Sequence, residues 1–96
     1  MTQREPAIAK LQIDNERVRV TEYRFAPNAE TTFHRHEFDY VVVPTTTGDL
    51  LLKEPDGDRV VRIETGVPYF RNEGVEHDVI NPSKENEIIF VEVEIK

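Results

Sequence analysis

Residues 27–48 read PNAETTFHRHEFDYVVVPTTTG. The run opens on the turn pair Pro27-Asn28, carries two histidines spaced two apart at His34 and His36, and passes through Val41-Val42-Val43 before Pro44 and Thr47-Gly48-Asp49 break it. β-Branched and aromatic residues bounded by Pro, Asn, Gly and Asp read as strand. Side chains at i and i+2 of a strand share a face, about 7 Å apart. His34 and His36 are therefore placed to converge on one ion, with about 2.1 Å from each nitrogen to the metal. The same parity puts Phe38 and Tyr40 on the histidine face and turns Glu37 and Asp39 away. Asp39 joins that face only if a bulge reverses the parity.

The texture continues on both sides. Turn residues recur at Asp14-Asn15, Pro55-Asp56-Gly57, Gly66, Glu73-Gly74 and Asn81-Pro82-Ser83, roughly the 8–12-residue spacing of an antiparallel sandwich or barrel. Pro55-Asp56-Gly57 lies between an apolar run at 50–53 and another at 59–63, a hairpin. No window sustains a helical period, so the reading is all-β, about eight strands and no helix, with at most short turns at 5–14 and 83–87. In segment 18–25 the apolar parity of Val18 and Val20 flips at Tyr23 and Phe25, as a bulge would make it. Val91, Val93 and Ile95 alternate with Glu92 and Glu94, and the acids are assigned to the solvent face.

Composition narrows the classes. Ninety-six residues make one domain, 1–96, with the barrel core at about 10–95, and 38% of them are hydrophobic. There is no Cys, which removes thiolate sites, thiol nucleophiles and a disulfide scaffold. Twelve Lys and Arg against 19 Asp and Glu give a net charge of -7, which argues against nucleic acid and anionic membrane surfaces as partners. The N-terminal residues carry no apolar stretch of signal or membrane-spanning length, so a cytoplasmic location is expected. No nucleophile elbow or phosphate-binding glycine loop is found.

The third histidine, His77, stands far along the chain in GVPYFRNEGVEHDVIN at 66–81. Segments 27–48 and 66–81 together resemble the two motifs of the cupin superfamily, G-x5-H-x-H-x3,4-E-x6-G and G-x5-P-x-G-x2-H-x3-N. The resemblance implies a small antiparallel jelly-roll barrel holding one divalent metal, with His34, His36 and His77 as its ligands and Gly48, Gly66, Gly74 and Asn81 in supporting positions. Three departures stand out. Asn28 or a neighbour replaces the first glycine, a turn that tolerates left-handed backbone, and Asn72 replaces the proline. The glutamate ligand is missing, and Tyr40 takes its place.

A site of three His without a carboxylate leaves the ion its full charge and open positions. Its donors suit Fe(II), Ni(II), Zn(II), Mn(II) or Cu(II). Three-His cupins include iron dioxygenases of thiols and diketones, so the resemblance implies a metalloenzyme of dioxygenase type acting on a small anionic or chelating metabolite. The alternative is a non-catalytic small-ligand-binding module with structural or no metal, and a third reading is a barrel that works through dimerisation alone. Tyr40 is a weak ligand, a hydrogen-bond donor or a cavity wall. Tyr23, Phe25, Phe33, Phe38, Tyr69, Phe70 and Phe90 read as core, with Phe38 and Phe70 alternatively lining the mouth, and Arg24, Arg35 and Arg71 read as surface. The stretch HRHEFDYVVVP is similar to that of small cupins associated with β-alanine degradation, which implies a role in amino-acid catabolism. A barrel this small gains from self-association, and the resemblance implies a homodimer formed through part of 7–20.

Overall fold

The structure, a computed structural model, describes residues 4–96. Nine strands form: β1 (Ile8–Asp14), β2 (Val18–Phe25), β3 (His34–Arg35), β4 (Asp39–Pro44), β5 (Gly48–Glu54), β6 (Gly57–Ile63), β7 (Tyr69–Arg71), β8 (Glu76–Ile80) and β9 (Ile88–Ile95). No helix is present among the described residues. One sheet runs β1-β2-β9-β4-β7 and the other β3-β8-β5-β6, and every ladder between the strands is antiparallel. Phe25, Tyr40, Val42, Ile88 and Phe90 from the first sheet meet Leu50, Leu52, Ile63 and Val79 from the second in one core. The all-β jelly-roll expectation stands, with one strand more than anticipated because β3 and β4 are separate.

That separation comes from a bend at Glu37-Phe38, where the chain passes from the four-stranded to the five-stranded sheet. The hairpin expected at Pro55-Asp56 forms between β5 and β6, with Glu54 opposite Gly57. Residues 8–14, considered for a short turn, are instead strand β1.

The parity flip in β2 has a different origin from the bulge expected there. β2 pairs with β9 without interruption, from Val18 opposite Ile95 to Phe25 opposite Ile88. The register shift lies across the ladder, in β1 between Leu11 and Ile13. Both faces of the five-stranded sheet are apolar in places. Thr21, Tyr23 and Phe25 face the core, while Val18 and Val20 join Val41, Val43, Val91, Val93 and Ile95 on the outer face. Ile8 and Ile13 continue that outer face on β1, every residue of which is exposed.

Asn81 locks the end of β8 to two other segments. Fully buried, its amide nitrogen donates to the carbonyls of Phe25, Ala26 and Asn86 at 3.2, 3.3 and 2.7 Å, and its Oδ1 accepts from the Ser83 amide at 3.0 Å. Replacing it with Ala strips buried backbone groups of their partners, at about 1–3 kcal/mol per orphaned group. We therefore expect Asn81→Ala to lose about 3 kcal/mol of stability in urea denaturation; a loss below 1 kcal/mol would show that water replaces the amide without penalty.

Candidate metal centre

The three histidines, from β3, the bend and β8, converge inside the barrel. His34 lies directly opposite His77 in the β3–β8 ladder. His36, one residue beyond β3, is pinned by two backbone bonds: its amide donates to the Val75 carbonyl at 2.8 Å, and its carbonyl accepts from the Gly74 amide at 2.8 Å. Gly74 adopts φ +88° to make that clasp, a conformation glycine takes without a Cβ penalty. His34 Nε2 is 3.0 Å from His36 Nε2, which is 3.1 Å from His77 Nε2. The ligand atoms of the three residues all lie within 4.8 Å of one another.

The donor set fits a cation. His34 Nδ1 lies 2.9 Å from the Thr32 carbonyl, an acceptor that fixes the proton on Nδ1 and leaves Nε2 a bare lone pair. Burial, reinforced by His34 and Arg71, lowers the pKa of His36 to about 4, and burial with the neighbouring histidines lowers that of His77 to about 3. Both rings are therefore neutral at pH 7. Neutral nitrogens facing one another repel unless a proton or a metal lies between them. An ion about 2.1 Å from two nitrogens at right angles separates them by about 3.0 Å, the spacing seen here.

The surroundings correct several expectations from sequence. Tyr40 occupies the place inferred for it. It is 2% exposed, its ring stacks on His36 at 3.9 Å and 16°, and its hydroxyl has no hydrogen-bond partner among the described residues. Burial raises its pKa above the ordinary phenol value, so it stands in the cavity wall as a neutral phenol. Asp39 faces away and accepts from the Glu73 amide at 2.8 Å. Phe38 lies in the bend, against the Arg19 guanidinium at 5.7 Å, and does not line the cavity; the bend breaks the parity that had placed it there. Phe70 pairs with Val41 on the outer face and is 53% exposed, and Phe33 is exposed too, so neither is core. Arg24 is at the surface, paired with Glu22 and Glu87. Arg35 is exposed at the mouth. Arg71, expected at the surface, instead lines the interior cavity.

The largest correction concerns Glu92. The sequence reading put it in solvent; it is 5% exposed, inside the barrel, with Oε1 3.6 Å from His36 Nδ1. The alternation in β9 was right and its polarity inverted. Ile88 and Phe90 share the parity of Glu92 and fill the core, so the aromatic at position 90 was the available signal. The cavity, about 30 Å³, is bounded by the histidines, Tyr40, Arg71 and Glu92 among others. It opens to a mouth of about 420 Å³ carrying His34, His36, Arg19, Arg35 and Glu94.

Over all 96 residues the chain is 56% identical to the beta-alanine degradation protein BauB of Pseudomonas aeruginosa PAO1, covering 100% of both chains. It superposes on the crystal structure of a cupin domain from Bordetella pertussis Tohama I with TM-score 0.98 and 58% identity, covering 100% of this chain and 99% of that one. The chain is a small single-domain cupin of the BauB family. A more distant cupin-fold likeness is the polyketide cyclase RemF of Streptomyces resistomycificus, with TM-score 0.73 and 22% identity over 98% of this chain and 70% of that one, which shows the fold alone. No family model matches the chain.

Glu92 makes the interior sensitive to pH. Burial first, then the Glu94 carboxylate, pushes its pKa up to about 7 from an ordinary 4.5. A carboxyl raised on folding destabilises the native state when ionised: the penalty is absent below the unfolded pKa, grows through the interval and is complete above the folded one. At about 1.4 kcal/mol per unit, the penalty amounts to about 3 kcal/mol. In metal-free protein, Glu92→Gln should therefore raise the melting temperature at pH 8 and give no gain at pH 4; equal melting temperatures at pH 8 would mean that the carboxylate is adequately solvated.

Proposed function

We propose that this cupin binds one divalent metal ion through His34, His36 and His77 and acts on a small anionic or chelating metabolite at that ion. The observation that carries the reading is the convergence of three imidazole nitrogens at 3.0 and 3.1 Å inside a buried cavity. A bound ion of the type these donors suit would polarise a coordinated oxygen and, if it were iron, would support oxygen chemistry. The chain's own residues set the conditions. The Thr32 carbonyl fixes the His34 tautomer, and Glu92 lies beside the outer nitrogen of His36. The stacked Tyr40 ring backs His36. With neutral histidines as ligands, the metal would keep its charge for an anionic ligand arriving through the mouth. The P. aeruginosa relative is named for β-alanine degradation; at 56% identity that name supports a substrate from amino-acid catabolism.

Metal content per chain, measured by plasma mass spectrometry on protein purified without chelator, tests the reading beside His77→Ala. We expect near-stoichiometric metal in the parent and less than about a tenth of it in the variant, because two His ligands hold divalent ions far less tightly than three. Iron would be followed by oxygen uptake with small thiols, diketones and β-amino acids. Metal retained without turnover would favour the ligand-binding module, and no metal after incubation with Fe(II), Ni(II) and Zn(II) would reject the metal centre.

We also propose that the apolar outer face of the five-stranded sheet packs against a second copy of the chain. Val18, Val20, Val41, Val43, Val91, Val93 and Ile95 form a continuous aliphatic surface, extended by Ile8 and Ile13 on an edge strand that is exposed throughout. Such a surface is a recognised association site. Light scattering should give a dimer mass at micromolar concentration, converted to monomer by Val20→Lys with Val93→Lys; a monomeric parent would overturn the assignment.

A further inference from the structure

Tyr40 and Arg71 stand directly opposite each other in the β4–β7 ladder, so both side chains project to the same, inner face. Both line the small cavity that the three histidines line. Tyr40 is buried with its hydroxyl unpartnered among the described residues. A buried O–H left without an acceptor costs about 1–3 kcal/mol, and a site that keeps one has a use for a donor there. Arg71 contacts one carboxylate, Glu54, at 3.6 Å. Glu54 is already gripped by Arg59 at 2.5 and 3.3 Å, so two guanidinium groups share a single acid. The other cavity acid, Glu92, lies against Nδ1 of His36. An acidic protein has thus placed a partly compensated arginine beside its histidine cluster, and the charge reaches them: Arg71 is among the groups that lower the pKa of His36 and His77.

We propose that Arg71 and the Tyr40 hydroxyl form a carboxylate-binding subsite, and that the ligand of this barrel is a small monocarboxylate whose other end lies against the three histidines. A carboxylate offers two oxygens, one for the guanidinium and one for the phenol O–H, and charge-assisted bonds of this kind are among the stronger available. The cavity of about 30 Å³ is small and shares His34 and His36 with the wider mouth, which suits a carboxylate at its inner end with the rest of a small ligand toward the mouth. The proposal deepens the function proposed above, and its anion-binding half stands independently of the metal.

Acetate is the probe, with acetamide as its uncharged isostere. Both are titrated at constant ionic strength into ¹⁵N-labelled protein, first treated with chelator and then reloaded with zinc, while the Arg71 side-chain Nε–H and the backbone amides of β4 and β7 are followed. In metal-free parent protein we expect a saturable acetate shift centred on these groups and none from acetamide. Arg71→Gln should weaken binding about tenfold or more, and Tyr40→Phe, which keeps the stack on His36, about three- to tenfold. Absence of saturation in the parent, or unchanged affinity in both variants, overturns the subsite. Binding that arises only with zinc and survives Arg71→Gln overturns it too, while leaving the metal centre standing. Arg71-dependent acetate binding in a protein that takes up no zinc supports the subsite and excludes zinc alone as its metal.

Discussion

The site depends on a two-rung ladder, His34 opposite His77 and Arg35 opposite Glu76, that joins β3 to β8. Because side chains alternate across a strand, a slip of one residue would send the histidine of the shifted strand to the outside. A ladder this short cannot hold its own register, so the register is imposed from both ends. On one side, the clasp between His36 and the Gly74-Val75 turn fixes where β8 begins. On the other, Asn81 ties the end of β8 to three carbonyls. Thr31 adds a third tie, its amide donating to the Val79 carbonyl at 2.9 Å and its hydroxyl accepting from the Val79 amide at 3.1 Å. Gly74 and Asn81, which match the second family motif, are thus among the residues that hold His77 in phase with His34.

Around this anchor the barrel encloses charges that a thin core would be expected to exclude. Glu92 from β9 and Arg71 from β7 both reach the interior cavity. Burying an ionisable group is costly unless it is paired, and the pairing is partial: Glu92 faces the Tyr23 hydroxyl and, at 3.6 Å, His36, and Arg71 shares Glu54 with Arg59. Part of the cost is met by shifted protonation, since Glu92 titrates near 7 and His36 and His77 are held neutral. Strain is present as well. Thr32, a β-branched residue, adopts φ 75°, a conformation that costs about 1–3 kcal/mol, and its carbonyl is the one that contacts His34 Nδ1. Stability is thus given up at the histidines, Glu92, Arg71, Tyr40 and Thr32 together, all around one interior cavity or its mouth.

The five-stranded sheet shows why apolar pattern alone misleads in a small barrel. An ordinary half-buried strand has one apolar face. β9 has two, with Ile88 and Phe90 toward the core and Val91, Val93 and Ile95 outward. Given both sets, parity separates the faces and does not say which is inside. The larger count of outward valines carried the sequence reading, and it turned Glu92 out of the site it occupies. β2 repeats the pattern with Val18 and Val20 outward and Phe25 inward, which mimics a bulge where the strand is regular.

The sequence by itself determined the class of fold and three of the site's residues, because both depend on local periodicity and on fixed spacing: β-branched runs between turns, a histidine pair two residues apart, and a glycine turn before His77. It favoured Tyr40 over Asp39 on strand parity, and the structure turns Asp39 to the Glu73 amide, although the strand used to argue it is interrupted by the bend at Glu37-Phe38. Only the tertiary structure decided which face of each strand is interior, and with that the placement of Glu92, Arg71, Phe38 and Phe70. The reason is physical. Alternation within a strand is written in its own residues, whereas inside and outside are defined by which sheet packs over it, and that is set by ladders between segments up to tens of residues apart.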